Sequence, residues 1–239
     1  MTIPDYYVSS LASKRLISSS PSSHPNSFSK SRLNASTPIP VPLVTLPPLL
    51  FTDPSHFIIN ETTLTRSEVG LNSGGFARLS TALLKTPITQ GTVSVTVTLL
   101  SLPSINYFVR FDLLDSTAAV PKLGEVLGYN VKDSLSLTSS TGNLSHNTPS
   151  TGYSPQFEFC HSELREGDCV RMEVDMKSNP QIVQFFVNGE SGRSFVTGLP
   201  RSVRLGFTVD GLGTSFRIDR IAHQTQPTPI APAMRELKW

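Results

Sequence analysis

The strongest constraint on the fold is a period of two in the hydrophobic residues, which begins after Phe51. Residues 91–100, GTVSVTVTLL, alternate apolar side chains with serine and threonine. Residues 168–176, DCVRMEVDM, and 202–210, SVRLGFTVD, repeat the alternation. Successive side chains of a strand point to opposite faces, so this pattern predicts strands that bury one face.

Residues 51–222 show almost no helical periodicity. The one exception is the short stretch 79–85, LSTALLK, which could form a helical turn. Many short strands separated by Gly, Pro, Asn and Ser are typical of antiparallel sandwiches and jelly rolls. We therefore predict an all-β fold, an antiparallel β-sandwich or jelly roll, with a disordered N-terminal arm.

The proline distribution predicts three segments. Residues 1–45 are expected to be a disordered Ser/Pro-rich arm and linker, because such a composition buries too little apolar surface to offset ordering. The sandwich is predicted over 46–223. Residues 224–239, QTQPTPIAPAMRELKW, are expected to be a Pro-rich tail, with Trp239 outside the core. Whether the arm is phosphorylated or docks on the body is left open.

Charge and hydropathy narrow the classes of partner. The chain has 20 Lys and Arg residues against 18 Asp and Glu residues, and it carries no basic stripe. We therefore expect no nucleic-acid binding. No apolar run approaches the roughly 18 residues of a membrane span, and no secretory signal is recognisable. These features favour an intracellular protein, cytoplasmic or nuclear, that does not bind membranes.

Metal and cofactor sites have weak support. Cys160 and Cys169 are the only two cysteines, and the five histidines are scattered without ligand spacing. Two cysteines cannot build a four-ligand zinc site without clustered histidines. We therefore predict no metal and no cofactor.

Glu173 and Asp175 are a pair of carboxylates at alternate positions of one predicted strand, which is the spacing of a sandwich glycosidase. They resemble part of the E-x-D-x-x-E signature of concanavalin-like endoglucanases. The third acid of that signature is replaced here by Lys177 or Ser178, so the proton donor is missing. The pair is instead expected to lie on a solvated strand face near Arg171, and the chain is expected not to be an enzyme.

The stretch GDCVRMEVDMKSNPQIVQFFVNGE (167–190) and its continuation to Ile218 resemble the C-terminal half of SPRY/B30.2 domains. The resemblance is carried by Gly167-Asp168, the alternating strand to Asp175, the segment 185–189 with its Asn-Gly turn, and Phe195 and Pro200. It covers residues 155–221, and 56–154 fits by length and strand pattern. The family's tryptophans and N-terminal signature are absent, which marks a divergent member of the concanavalin A-like lectin/glucanase superfamily.

The resemblance implies a non-catalytic module that captures a partner protein or peptide through loops at one end of two packed sheets. Residues 133–156 are polar and are predicted to be a long functional loop. Loop position and polar or aromatic character select six candidate partner-binding residues: Asp115, Lys122, Asn143, His146, Tyr153 and Asn179. A carbohydrate-binding lectin remains the alternative, and the partner's identity and the oligomeric state are left open.

Overall fold

The computed structural model describes residues 45–67, 79–104 and 107–239. The predicted arm therefore lies outside the described residues, apart from Thr45. The strands in chain order are β1 (Leu49–Phe51), β2 (Phe57–Asn60), β3 (Thr63–Arg66), β4 (Ser80–Leu84), β5 (Thr92–Ser101), β6 (Val109–Asp115), β7 (Ser134–Thr138), β8 (Asn143–Asn147), β9 (Gln156–Phe159), β10 (Cys169–Asp175), β11 (Ile182–Val187), β12 (Glu190–Thr197), β13 (Val203–Val209), β14 (Ser215–Gln224) and β15 (Arg235–Lys238). Short 3-10 turns span Pro54–His56 and Pro149–Thr151.

The strands form two sheets. The seven-stranded sheet has the order β1-β4-β13-β6-β7-β8-β9, and the eight-stranded sheet has the order β15-β12-β11-β10-β5-β14-β3-β2. Neighbouring strands are antiparallel except β12 and β15, which are parallel. This arrangement confirms the predicted all-β sandwich.

The core lies between the sheets and is lined by alternate residues of the central strands. It includes Val93, Val95, Val97, Leu99, Val170, Met172 and Val174 from one sheet, and Val109, Phe111, Leu113, Val203, Leu205, Phe207 and Val209 from the other. The ring of Phe207 lies 4.9 Å from that of Phe216 on the opposite sheet and 6.4 Å from that of Phe111. The period-two prediction is confirmed in all three segments that carried it.

Two segments differ from expectation. Residues 80–84 are strand β4 rather than a helical turn, and they are buried on both faces, which removes the alternation that identifies a strand. Residues 133–156 are not a long loop, because they contain β7 and β8. The leucines of these strands face the core, while buried serines at alternate positions make the sequence resemble a loop.

The C-terminal segment is part of the sandwich rather than a separate tail. Strand β15 pairs with the edge strand β12, and Leu237 enters the core. Trp239 packs against the core, so the expectation that it lies outside is wrong. Its backbone N–H donates to the carbonyl of Thr197 over 2.9 Å. The composition misled because this segment is ordered by contacts with distant strands.

Replacing Phe207 with alanine tests the core. Phe207 is fully buried and contacts rings of both sheets, so we expect a loss of about 3–5 kcal/mol in the free energy of unfolding. Urea denaturation of the variant measures this loss. The exposed Arg201→Ala serves as the control, with an expected change within about 0.5 kcal/mol. Equal effects for the two variants would contradict the assignment.

Candidate functional site

The outer face of the seven-stranded sheet carries a buried network of polar side chains. Asp112 of β6 accepts hydrogen bonds from Ser136 Oγ and Thr208 Oγ1, both over 2.6 Å. Arg110 donates from Nε to Ser136 Oγ over 2.8 Å and from Nη2 to Ser145 Oγ over 2.6 Å. These bonds join β13, β6, β7 and β8 on the face opposite the core, which makes this part of the sheet a fixed base.

Asp112 has an unusual electrostatic environment. Its burial raises the pKa of the carboxyl, while Arg110 and the hydroxyls of Ser136 and Thr208 act in the opposite direction. Burial disfavours the charged form of a carboxyl more than these partners favour it. The network therefore depends on pH.

The segment between β6 and β7 is fixed onto this base. The N–H of Gly128 donates to Ser134 Oγ over 2.6 Å, and that hydroxyl donates to the carbonyl of Val131. Gly128 has a φ of 72°, and a Cβ there would lie 2.4 Å from the carbonyl oxygen of Ser145, so only glycine fits. Leu127 packs with Leu83 and Leu114 in a second small hydrophobic cluster that also includes partly buried Leu50, Ala118 and Val131.

Exposed aromatic residues lie on the outer side of this segment. Tyr129, Tyr153 and Phe157 are 41%, 40% and 58% exposed. The rings of Tyr129 and Phe157 lie 6.3 Å apart, and Lys132 Nζ lies 4.8 Å from the centre of the Tyr153 ring. We call Tyr129, Lys132, Tyr153 and Phe157 the aromatic face.

Two consecutive residues connect the parts of the aromatic face. Asn147 Nδ2 donates to the carbonyl of Tyr129 over 2.7 Å. The carbonyl of Thr148 accepts from the N–H of Tyr153 over 3.2 Å. Tyr153 has a φ of 58°, which is rare for a residue other than glycine and is maintained by the tight turn around it. The aromatic face is therefore positioned by backbone hydrogen bonds.

The hydroxyl of Tyr153 sits among acidic groups. Desolvation raises its pKa, and the charge and hydrogen bond of Asp133 and the charge of Asp115 add to the effect. Tyr153 therefore stays a neutral hydrogen-bond donor at physiological pH. Acidic groups, a lysine and exposed rings thus surround the same loops.

Two of the six predicted residues belong to the aromatic face or act on it, and a third lies on the segment that carries Tyr129 and Lys132. Tyr153 belongs to the aromatic face, Asp115 acts on the Tyr153 hydroxyl, and Lys122 is on the same β6–β7 segment. The backbone N–H of Lys122 donates to the carboxylate of Glu125 over 2.7 Å, and this bond does not involve the side chain of Lys122.

The other three predicted residues lie elsewhere. Asn143 begins β8 and pairs with Phe159, and Asn179 lies on the turn between β10 and β11 of the eight-stranded sheet. His146 is a strand residue only 6% exposed, and burial lowers its pKa against the effect of Glu158. The expectation that Asp115, Asn143 and His146 are loop residues is therefore wrong, because Asp115 is the last residue of β6 and the other two lie in β8.

The sequence analysis missed Tyr129 and Phe157. Phe157 alternates with Phe159 in QFEF, a pattern that in most strands marks a core face. Here both phenylalanines are exposed, and they lie on the last strand of the seven-stranded sheet. The signal in the sequence that could have identified Phe157 was its pairing with Phe159 on a short strand that follows a turn.

The carboxylate pair Glu173 and Asp175 is not solvated. Glu173 is 1% exposed and Asp175 is 3% exposed. Burial acts to raise the pKa of Asp175, but hydrogen bonds from Ser178, from the backbone of Lys177 and from Thr92 outweigh it and lower the pKa. Arg171 does pair with Glu173, as expected, over 2.6 Å. Both acids are thus occupied by protein donors rather than open to a sugar.

The cysteines are both free thiols. Burial raises the pKa of the Cys160 thiol to about 11, which keeps it protonated and unreactive. Within residues 45–67, 79–104 and 107–239, no group of three or more His, Cys, Asp or Glu side chains is arranged to hold a metal ion. In the same residues no helix is long and apolar enough to cross a membrane.

Solved structures with a similar two-sheet sandwich include two SPRY domains and a lectin. The SPRY domain of human HERC1 matches with a TM-score of 0.50 and 16% identity, over 73% of this chain and 99% of that one. The TRIM65 PSpry domain matches with a TM-score of 0.47 and 13% identity over 76% and 87%, and the lectin UEA-II complexed with galactose matches with 0.42 and 13% over 72% and 92%.

The likeness to the HERC1 domain shows that this chain has a SPRY-like fold, in a divergent form. No protein-family model matches the chain, and no match was found among curated proteins. The resemblance identified from residues 155–221 is therefore confirmed at the level of the fold.

Replacing Asp112 with asparagine tests the buried network. A carboxyl whose pKa is raised in the folded protein contributes stability that is present below its unfolded pKa of about 3.9 and is lost as pH rises through the folded pKa. We expect Asp112→Asn to gain stability relative to the wild type between about pH 4 and pH 7. Urea denaturation at both pH values measures this. The exposed Glu163→Gln is the control, and an unchanged pH dependence in Asp112→Asn would refute the account.

Proposed function

We propose that this chain is a non-catalytic interaction module that binds a partner protein or peptide through the aromatic face. The observation that carries the proposal is three exposed aromatic rings fixed on a hydrogen-bonded base. Tyrosine and other aromatic residues supply large contact areas at low entropic cost, and they are enriched among residues that dominate binding energy.

The surroundings of the aromatic face indicate what kind of partner it fits. Val120 and Leu123, on the same β6–β7 segment as Tyr129, are 40% and 44% exposed and add apolar surface to that segment. Lys122 and Asp115 supply a charged margin of both signs. An apolar centre with a mixed polar rim is the usual composition of a specific protein interface.

The proposal retains Asp115, Lys122 and Tyr153 from the sequence analysis and adds Tyr129 and Phe157. His146 is left out because it is buried, and Asn143 and Asn179 because nothing connects them to the aromatic face. The likeness to the HERC1 SPRY domain agrees with a protein-binding role.

A carbohydrate-binding domain is the second candidate. Exposed aromatic rings can stack on sugars as well as on peptides, and Tyr129, Tyr153 and Phe157 provide such rings. The two functions differ in what the same face would capture, so one experiment separates them.

Replacing Tyr153 and Phe157 singly with alanine tests the proposed function. We expect each variant to lose at least about tenfold in affinity for the partner, since truncating a central aromatic residue commonly costs more than 1.4 kcal/mol. The full chain captures proteins from a lysate of its own organism, mass spectrometry quantifies them, and titration with the purified partner gives the affinity.

The matched control is Ile58→Ala, which removes a 59% exposed hydrophobic side chain from the eight-stranded sheet. We expect this variant to capture the same partner as the wild type. Identical capture by all three variants would overturn the proposed site. Capture of glycoproteins that ends after deglycosylation would instead favour the lectin.

A further inference from the structure

The outer face of the eight-stranded sheet holds a second cluster of hydrogen bonds, centred on Glu173. Its carboxylate, 1% exposed, accepts from the N–H of Thr228 over 2.6 Å and from Thr228 Oγ1 over 2.8 Å. It also accepts from Arg171 Nη1 over 2.6 Å and from Gln224 Nε2 over 3.1 Å. The side chain of Glu173 is therefore shielded from solvent, and its two oxygens accept hydrogen bonds from four protein donors.

Thr228 is recognised through all of its polar groups. Its carbonyl accepts from Gln184 Nε2 over 2.9 Å, and its hydroxyl lies 3.2 Å from Arg171 Nη1. The guanidinium of Arg171 lies 3.7 Å from the centre of the Phe186 ring, which fixes its orientation. The backbone and the side chain of this one threonine are thus hydrogen-bonded by Glu173, Arg171 and Gln184.

The threonine belongs to a segment suited to this kind of recognition. Pro227 and Pro229 flank it, so neither neighbour has an N–H to satisfy, and both have a restricted φ. Pro-rich segments of this kind are already extended before they bind, so they lose little conformational entropy on binding. We call residues 225–239, which cross the sheet and end in β15, the C-terminal strap.

The strap covers the face without sealing it. A cleft of about 450 Å³ lies beside it, lined by residues that include Ser94, Thr96, Arg171 and Arg220. Of the four residues of β15, only Leu237 is buried. The cleft reaches the start of the strap at Thr225 and Gln226, which is where an incoming chain can approach it. Strand β15 is held more firmly, by its pairing with β12, by Leu237 in the core, and by contacts of Arg235 with Glu158 and of Glu236 with Thr197.

We propose that Glu173, Arg171 and Gln184 form a peptide-binding site for an extended Pro-Thr-Pro segment of a partner chain, which the strap occupies as an internal ligand. The site lies on the sheet opposite the aromatic face and is independent of the proposed function. An internal ligand at high effective concentration weakens the apparent affinity for an external one. The strap therefore acts as an intramolecular competitive inhibitor of peptide binding at this site.

The test uses a fluorescent peptide with the sequence TQPTPIA, which corresponds to residues 225–231. Fluorescence anisotropy measures its binding to the full chain. Thr228→Ala in the chain weakens the internal ligand but leaves the site intact, so we expect the peptide to bind this variant about tenfold or more tightly than the wild type. Thr225→Ala is the matched control, because Thr225 contributes only its carbonyl to the Lys177 ammonium, and it is expected to match the wild type.

Two further measurements identify the site. Glu173→Gln added to Thr228→Ala should abolish the gain, because the amide cannot accept from all the donors. A second peptide, with alanine in place of the threonine that corresponds to Thr228, should bind the Thr228→Ala variant at least tenfold more weakly than TQPTPIA. Both peptides are measured against the same protein, so a difference in folding between variants cannot produce this result. The proposal is overturned if Thr228→Ala binds no more tightly than Thr225→Ala, or if the two peptides bind equally. Tyr153→Ala should leave this binding unchanged, which separates the result from the aromatic face.

Discussion

Strand alternation places polar side chains on the outer face of each sheet, and where that face is itself buried these side chains need hydrogen-bond partners. The partners they find shape both candidate binding faces. Each central strand turns one set of side chains into the core, so the intervening set must point outward, and on both sheets part of that outer face is itself buried. One central strand of each sheet carries an Arg-x-acid sequence whose acid is buried on this outer face, Arg110-Phe111-Asp112 in β6 and Arg171-Met172-Glu173 in β10. In each, the middle residue fills the core while the acid collects hydrogen bonds outside. A buried acid without such partners would cost several kcal/mol.

The two acids receive their hydrogen bonds from different parts of the chain, Asp112 from within its own sheet and Glu173 in part from the C-terminal strap. Asp112 is bonded by hydroxyls of neighbouring strands of its own sheet, so its network depends only on the sheet being formed. Glu173 takes two of its four bonds from Thr228, a residue of the C-terminal strap. The first arrangement makes the seven-stranded sheet a rigid support for the aromatic face. The second ties a separable segment to the eight-stranded sheet.

The same contrast explains what the sequence could and could not predict. Strands β5, β10 and β13 were predictable because each buries a single face, which produces a visible period of two. Strand β4 buries both faces and so shows no period. The outward serines of β7 and β8 mimic a loop because their partners, Arg110 and Asp112, are distant in sequence. Of the candidate site, Tyr153, Asp115 and Lys122 were accessible to reasoning about turns, whereas the exposure of Tyr129 depends on how Gly128 and Asn147 fix the segment to the sheet.

The C-terminal strap shows how a segment too polar to fold alone becomes part of a domain. Its prolines and small polar residues offer little apolar surface, and its order comes from the Glu173 cluster at one end and from β15 at the other. Strand β15 covers the otherwise open edge of β12, which protects that edge from pairing with other chains. It also touches the region of the aromatic face, since Ser150 donates to the carbonyl of Lys238 and Arg235 pairs with Glu158 of β9, the strand that carries Phe157. The strap therefore joins the Glu173 cluster on the outer face of the eight-stranded sheet to β9, the last strand of the seven-stranded sheet.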